Sequence, residues 1–177
     1  MILIGVGANL PSPRHGPPRA TCGAALAAMA DAGLIVRRRS RWYRSAPVPA
    51  SHQPWFVNGV AEIETALTPP RALAALLTIE GRLGRRRQVR NEPRIVDLDL
   101  LDYDAMVSTP GNGVELPHPR LHERAFVLLP LAELARHWRH PLTGTGIAEL
   151  IKALPADQAA EPMVDAAGAF GTEWTSI

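Results

Sequence analysis

The order of apolar and polar residues along the chain predicts four strands. Residues 2–6 form an almost continuous apolar run, which is typical of a short buried strand. Residues 55–66 alternate apolar and polar side chains, which favours a strand that is exposed on one face. Residues 34–43 and 95–103 are also interpreted as strands, because both are rich in residues that favour extended backbone.

Helices are predicted between and after these strands. Residues 20–32 are rich in alanine and end at Gly33, a residue that is common directly after a helix. Thr68 and Pro69 mark the start of a second helix, whose leucines recur at helical spacing. Two further helices are predicted over about residues 124–137 and 147–154. The order β-α-β-β-α-β followed by helices predicts a ferredoxin-like split β-α-β sandwich of the α+β class, an antiparallel sheet with helices packed on one face and extra C-terminal helices.

Length and composition fit one folded domain followed by a tail. The chain has 177 residues, of which 46% are hydrophobic and 20% charged, too hydrophobic a mixture for a disordered protein. We interpret residues 1–154 as one domain and residues 155–177 as a tail of uncertain structure. No apolar run reaches the roughly 18 residues of a membrane span, and residues 1–6 lack the basic lead of a signal peptide. We therefore expect a cytoplasmic protein, and we expect it to be a monomer.

Basic residues are concentrated between the second helix and the last strand. Six arginines fall within thirteen residues, and Glu92 is the one acid among them. These arginines are Arg82, Arg85, Arg86, Arg87, Arg90 and Arg94. Such a local excess of positive charge predicts a polyanionic partner, either nucleic acid or the phosphates of a nucleotide.

Asp97 and Asp99 form a candidate metal site at the end of the arginine cluster. Their spacing places both carboxylates on one face of a strand, roughly 7 Å apart, where they repel each other unless a cation lies between them. Oxygen ligands of this kind suit Mg²⁺. The alternative is a solvated strand face or a pair of surface salt bridges. The adjacent arginines favour a site for nucleotide phosphates, which phosphoryl transfer requires, and the chain has no P-loop motif.

Other polar and aromatic residues are candidates for ligand binding. Phe56 and Asn58 share a face of their predicted strand, where a ring and an amide suit a flat heterocycle; the alternative is a core residue and a turn residue. His118 and Arg124 can contact a phosphate. Glu80 falls within the apolar stripe of the second helix, so its carboxylate requires a partner or a cavity.

These residues together resemble the 6-hydroxymethyl-7,8-dihydropterin pyrophosphokinase family of folate biosynthesis. The likeness extends over about residues 1–154 and rests on a series of short motifs. They are Gly5-x-Gly7-x-Asn9-Leu10, Tyr43-Arg44-Ser45, Phe56-x-Asn58, Glu80-x3-Gly84-Arg85, Pro93-Arg94-x2-Asp97-Leu98-Asp99-Leu100, Pro117-His118 and Arg124-x-Phe126. The chain departs from the family at three places. Asn91-Glu92 replaces a frequent Trp-Gly, Gly113 lies where some members have an ATP-binding arginine, and Pro119 lies where tyrosine is frequent.

The resemblance implies an enzyme that transfers the pyrophosphoryl group of ATP to the hydroxymethyl group of the pterin and releases AMP. It implies that Asp97 and Asp99 bind two Mg²⁺ ions and that Arg85 and Arg94 are catalytic. The residues implied to bind ATP are Glu80, Arg87, Arg90, Leu100, His118 and Arg124. Those implied to bind the pterin are Ser45, Ala46, Val48, Phe56, Asn58 and Phe126.

Two other functions stay open at this point. Split β-α-β sheets with a basic loop also bind RNA, so an RNA-binding module is the alternative from another class. Such modules stack bases on aromatic residues of their central strands, whereas residues 95–103 carry acidic side chains that repel phosphates. A metal-dependent nuclease is a less favoured third interpretation.

Overall fold

The structure is a computed structural model that describes residues 1–85 and 92–173. Arg87 and Arg90, which the sequence places in the ATP site, lie outside the described residues. Within the described residues, no helix combines the length and the apolar character needed to cross a membrane.

The described part of the chain contains six β-strands. They are β1 (Ile2–Ala8), β2 (Ile35–Arg39), β3 (Tyr43–Ser45), β4 (Phe56–Glu64), β5 (Asp97–Tyr103) and β6 (Ala160–Pro162), of which β1, β4 and β5 are the longest. The α-helices are α1 (Pro18–Asp31), α2 (Pro69–Arg82), α3 (Ala125–Leu134) and α4 (Ile147–Lys152). Short 3₁₀ turns lie at Pro110–Asn112 and Leu121–Glu123. The predicted β-α-β-β-α-β order is confirmed in β1, α1, β2, β4, α2 and β5.

The sheet is antiparallel and has β1 and β4 at its centre. Its order is β5-β1-β4-β3-β6, and β2 pairs with the other end of β4. Residues 34–43 therefore form two short strands on the same edge of β4 instead of the single strand predicted. The separation lies at Ser40, whose hydroxyl donates to the carbonyl of Arg41 and accepts the amide N–H of Val60 at 3.0 Å, so that a side chain replaces part of the ladder.

Helices cover both faces of the sheet, because alternate residues of each strand point to opposite sides. On one face, β1 contributes Ile4 and Val6 to a core with α1 and α2. On the other face, Leu3, Val60 and Leu101 pack against α3 and α4. The extra C-terminal helices therefore cover the face that the first two helices leave open. The α3 helix ends at Leu134, three residues earlier than predicted.

The described part of the C-terminal tail packs against the sheet. Strand β6 pairs with β3 in antiparallel register. Phe170 contacts the core on the α1 side, and its carbonyl accepts the indole N–H of Trp42 at 2.8 Å. The guanidinium of Arg39 forms an ion pair with Asp165. The tail thereby extends the edge of the sheet that carries Ser45.

Candidate active site

A cavity of about 450 Å³ opens on the α3 face of the sheet. Gly5 and Gly7 of β1 lie beneath it, at the centre of the sheet. Every described residue that the sequence places in a site lines this cavity except Glu80 and Leu100. The lining residues among them are Ser45, Ala46, Val48, Phe56, Asn58, Arg85, Arg94, Asp97, Asp99, His118, Arg124 and Phe126.

One wall of the cavity combines two aromatic rings with a carboxamide. Phe56 and Asn58 extend from the same face of β4, as their spacing predicts, and Phe126 lies in the first turn of α3. The guanidinium carbon of Arg94 lies 5.4 Å from the centre of the Phe56 ring, and that of Arg124 lies 5.4 Å from the centre of the Phe126 ring. Each ring therefore adjoins a positive charge, in an arrangement that favours flat, electron-rich or anionic ligands.

Asn58 is held in place by its neighbours on both sides. Its amide Nδ2 donates to Ser45 Oγ at 2.7 Å, and the side chain is buried. Its carboxamide lies over Gly7, where an added Cβ would come within 2.7 Å of Asn58 Oδ1. Gly7 pairs with Asn58 on one side and with Asp97 on the other. The missing side chain at Gly7 thus leaves room between the amide wall and the acidic wall of the cavity.

Asp97 lies at the centre of a charged cluster. Arg85 Nη1 and Arg94 Nη1 each donate to a different oxygen of its carboxylate. Burial raises the pKa of Asp97, but the positive charges of Arg94 and Arg85 and their hydrogen bonds outweigh burial and hold the pKa below its usual value. The carboxylate is therefore ionised at neutral pH, and it brings two arginines to the cavity.

Asp99 lies in a different electrostatic environment. Its closest described ion pair is with Arg124 Nη1, 3.7 Å from Asp99 Oδ2. Burial, followed by the negative charge of Asp97, raises the pKa of Asp99 to about 6. The two carboxylates extend from one strand face into one cavity. A cation bound between them would stabilise both in the ionised form. Their oxygen donors suit a hard divalent cation.

Glu80 has the partners that its position within an apolar stripe requires. It is buried, and its carboxylate accepts hydrogen bonds from Arg85 Nη1 and, at 2.7 Å, from the amide N–H of Leu98. Glu80 therefore joins α2 to β5 and holds the guanidinium of Arg85 beside Asp97. Its side chain does not line the main cavity, so the structure places it behind Arg85.

His118 is a neutral hydrogen-bonding residue at the cavity. Burial, followed by the positive charges of Arg124 and Arg120, lowers the pKa of His118 to about 4. Its Nδ1 accepts the amide N–H of Arg120 at 3.2 Å. A neutral imidazole whose Nδ1 is an acceptor carries its proton on Nε2, so His118 can donate one hydrogen bond to a ligand oxygen.

Leu100, like Glu80, is a described site residue whose side chain does not line the cavity. It is buried in the core with α1 and α2, on the opposite face of β5 from Asp99. Strand alternation accounts for this placement, because Leu98 and Leu100 share one face while Asp97 and Asp99 share the other. A binding role for Leu100 stays a prediction and would have to involve its backbone.

Asn9 supports the site from outside the cavity lining, a role that its residue type does not indicate. It is buried, its Oδ1 accepts the amide N–H of Arg94 at 2.7 Å, and its Nδ2 donates to Gln53 Oε1 at 3.2 Å and to the carbonyl of Pro54 at 3.1 Å. Asn9 therefore fixes the backbone of Arg94 relative to the loop before Phe56. The available signal was its place in the Gly5-x-Gly7-x-Asn9 motif at the end of β1.

The chain is similar to known proteins over most of its length. A family model described as 7,8-dihydro-6-hydroxymethylpterin-pyrophosphokinase (HPPK) matches residues 3–136. The 2-amino-4-hydroxy-6-hydroxymethyldihydropteridine pyrophosphokinase of Synechocystis sp. is 38% identical over 151 residues, which are 85% of this chain and 74% of that protein. The protein of the same name from Pseudomonas aeruginosa is 37% identical over 155 residues, which are 87% of this chain and 91% of that protein.

Solved structures share the fold. A crystal structure of the Plasmodium falciparum HPPK-DHPS superposes with a TM-score of 0.63 at 12% identity, covering 85% of this chain and 43% of that one. The fold prediction of an antiparallel sheet with packed helices is therefore confirmed. The family model matches residues 3–136, which are most of this chain, and the two relatives named above are 37% and 38% identical to it. The chain therefore belongs to the 7,8-dihydro-6-hydroxymethylpterin-pyrophosphokinase (HPPK) family.

Proposed function

We propose that this chain transfers the pyrophosphoryl group of ATP to 6-hydroxymethyl-7,8-dihydropterin, giving the pterin diphosphate and AMP. The hydroxymethyl oxygen of the pterin attacks the β-phosphorus of ATP, and the bond from that phosphorus to the oxygen bridging it to the α-phosphate breaks. The hydroxyl proton passes to solvent, and AMP leaves. Membership of the family and the names of the relatives support this reaction.

The pterin occupies the aromatic wall of the cavity in this proposal. Phe56 and Phe126 stack on its faces, since flat rings gain from stacking between aromatic side chains. Asn58 presents an amide to the pterin edge, oriented by its bond to Ser45. Ser45, Ala46 and Val48 close the same wall.

The triphosphate of ATP occupies the charged wall. His118 and Arg124 line that wall and provide donors for phosphate oxygens. Asp97 and Asp99 would hold the Mg²⁺ ions through their carboxylate oxygens. When bound, Mg²⁺ neutralises phosphate charge and polarises the transferred phosphorus towards attack.

Arg85 and Arg94 stabilise the negative charge that develops on the transferred group. Without substrate, both guanidinium groups bind Asp97. In the proposed reaction both guanidinium groups would exchange their ion pairs with Asp97 for ion pairs with phosphate oxygens of ATP. Arginine suits this step because its planar group contacts two phosphate oxygens at once.

One observation carries the proposal. The cavity places the aromatic and amide wall of β4 and the acidic wall of β5 on either side of Gly7, which pairs with both Asn58 and Asp97. A pterin against the first wall therefore directs its substituent towards phosphates held by the second. The RNA-binding alternative gains no support, because the acidic side chains of Asp97 and Asp99 lie on the face where bases would stack.

A direct assay tests the proposal. The protein is incubated with ATP, Mg²⁺ and 6-hydroxymethyl-7,8-dihydropterin, and AMP and the pterin diphosphate are quantified by chromatography. We expect the two products in equal amounts, with no AMP formed when the pterin is omitted or when EDTA removes Mg²⁺. The proposal is wrong if no AMP forms, or if AMP forms at the same rate without the pterin. The monomeric state and the cytoplasmic location stay predictions.

A further inference from the structure

The segment 155–173 lies beyond the part of the chain that the family model matches, yet it contacts the cavity walls. The family match ends at residue 136. Two consecutive residues of the tail, Gln158 and Ala159, lie between the start of α3 and the Ser45–Ala46 end of β3. They therefore adjoin α3, which carries Phe126, and the end of β3, whose Ser45 bonds to Asn58 of β4.

Gln158 bonds to the start of α3 through both ends of its side-chain amide. Its Oε1 accepts the amide N–H of Ala125 at 2.8 Å, and its Nε2 donates to the carbonyl of Glu123 at 2.7 Å. These two contacts lie on either side of Arg124. The backbone on both sides of Arg124 is therefore held by one side chain from the tail.

These two bonds lie at the N-terminus of α3, where backbone groups need partners from outside the helix. The first N–H groups of a helix have no partner within the helix and need one from elsewhere. Arg124 is the N-cap residue of α3, and its side chain makes no capping hydrogen bond. Gln158 supplies the partner for the N–H of Ala125, the first residue of the helix. Arg124 and Phe126, which line the cavity, are the two residues directly next to that capped position.

Ala159 continues the connection to the opposite element. Its carbonyl accepts the amide N–H of Ala46 at 3.1 Å, and the following residue pairs with Ser45 as β6 begins. Ser45 in turn accepts the hydrogen bond of Asn58. The path from Phe126 to Asn58 therefore passes through Gln158, Ala159 and Ser45.

We propose that Gln158 is a positioning residue of the pterin site, which caps α3 from the tail and thereby fixes Phe126 and Arg124 against the wall that carries Asn58. This inference rests on the proposed function for the identity of the ligand. Gln158 touches no substrate itself. It lowers the cost of binding by holding the aromatic wall in its binding arrangement before the ligand arrives.

Matched substitutions at neighbouring positions test this role. Gln158→Leu keeps most of the side-chain volume and removes both hydrogen bonds, whereas Asp157→Leu makes the same replacement at the exposed neighbouring residue. We expect Gln158→Leu to raise the Kd of the pterin roughly tenfold, as measured by calorimetry, because loss of a hydrogen bond of ordinary strength has effects of this size. We expect a smaller change in the Kd of ATP, since several arginines share the phosphates. Asp157→Leu should bind both ligands as the wild type does.

A purely structural role predicts a different result. In that case Gln158→Leu lowers the melting temperature and the fraction of active protein but leaves the pterin Kd of the folded fraction unchanged. That outcome overturns the proposal. Should Gln158→Leu fail to fold, Gln158→Glu decides the matter, because it keeps an acceptor for Ala125 and loses the donor to Glu123. Its pterin Kd should rise roughly threefold, and an unchanged value overturns the proposal.

The wild-type assay separates this inference from the proposed function. If the wild-type protein binds no pterin and forms no AMP, the proposed function fails, and hydrogen exchange of the Ala125 amide decides the role of Gln158. Exchange that is roughly tenfold faster in Gln158→Leu than in Asp157→Leu supports the capping of α3 from the tail. Equal exchange in the two variants overturns it.

Discussion

The phenol of Tyr43 donates a 2.6 Å hydrogen bond to Glu133 Oε1 and so joins β3 to α3 beside the cavity. The same carboxylate accepts the amide N–H of Arg41 at 2.9 Å and its Nε at 2.8 Å. Burial and the hydrogen bond to Glu133 raise the pKa of Tyr43 to about 12, so the phenol stays a donor at neutral pH. Glu133 thus provides a further connection, besides Gln158 and Ala159, between the elements that carry Ser45 and Phe126.

Glu133→Gln should lower the stability of the protein at neutral pH but not in acid. Burial raises the pKa of Glu133, but the hydrogen bonds from Arg41 and Tyr43 outweigh burial and place the pKa below the ordinary value of 4.5. Because the folded-state pKa is depressed, the contribution to the free energy of unfolding is present above that ordinary value and disappears as the pH falls through the folded-state pKa. We expect a loss of about 1 kcal/mol near pH 7, or roughly 2–4 °C in Tm, and a smaller difference near pH 3.

Thermal unfolding of both proteins across this pH range checks the expectation. Glu161→Gln is the matched control, because Glu161 pairs with Arg44 and both side chains are more than half exposed, at 62% and 58%. Exposed pairs of this kind contribute little, so its Tm should stay within about 1 °C of the wild type. A pH-independent loss for Glu133→Gln would contradict the role of its charge.

Asp97→Asn and Asp99→Asn should both abolish turnover but differ in their effect on stability. Under the proposed function each would remove a charged ligand of Mg²⁺, which should lower the rate by roughly a thousandfold or more. Asp97 also binds Arg85 and Arg94, so its replacement leaves two partly buried guanidinium groups without that carboxylate and lowers Tm. Asp99 makes only a 3.7 Å ion pair among its described contacts, so Asp99→Asn should keep or raise Tm.

Single-turnover AMP formation and thermal unfolding measure the two effects separately. Wild-type turnover by both variants at millimolar Mg²⁺ would exclude these carboxylates as metal ligands. A lower Tm for Asp99→Asn than for Asp97→Asn would show that the ion pairs of Asp97 contribute little to stability.

Arg85→Lys and Arg94→Lys should slow the chemical step far more than they weaken substrate binding. Interactions made only in the transition state lower kcat and leave ground-state affinity largely intact, and a lysine cannot reproduce the two-pronged contact of arginine. A loss of roughly a hundredfold in the single-turnover rate is expected for each. Arg85 should also affect stability, because it bridges Glu80 and Asp97, whereas Arg94 binds Asp97 alone among the described acids.

Pre-steady-state AMP formation and equilibrium ATP binding distinguish the alternatives. The arginines are ground-state binding residues if ATP affinity collapses while the rate at saturating ATP stays at the wild-type value. Arg71→Lys, on the exposed start of α2, is the matched control and should change neither quantity.

The sequence predicts the sheet and its first two helices because their signals are local. Apolar alternation, capping residues and glycine stops each act within one element. The break after Arg39 has no such signal, because it depends on a hydrogen bond from Val60, which is 20 residues away. Strand β6 also has no sequence signal, because Ala160–Pro162 shows no apolar alternation. It is a strand because it pairs with the free edge of β3.

The site could be predicted as a set of residues but not as a set of contacts. The spacing of Asp97 and Asp99 places them on one strand face, and the position of Glu80 within an apolar stripe correctly requires a partner. The identity of that partner, Arg85, depends on how α2 packs against β5. The roles of Asn9 and Gln158 depend on contacts with Arg94, which is 85 residues from Asn9, and with Ala125, which is 33 residues from Gln158. No local pattern reports contacts over such distances.

Gly7→Ala should weaken pterin binding by displacing Asn58, while Gly5→Ala should have little effect. A Cβ at Gly7 would lie 2.7 Å from Asn58 Oδ1, whereas a Cβ at Gly5, two residues earlier on the same face of β1, would lie 3.4 Å from the nearest side-chain atom of Leu101. The Cβ at position 7 would force the carboxamide of Asn58 to move and would weaken its 2.7 Å hydrogen bond to Ser45. The contact at position 5 is close to ordinary van der Waals packing. We expect the pterin Kd to rise roughly tenfold or more in Gly7→Ala, with the Kd of ATP within about twofold of the wild type. Calorimetric titration of both variants with each ligand checks this, and equal pterin affinity in Gly7→Ala and Gly5→Ala would mean that the orientation of Asn58 does not determine pterin binding.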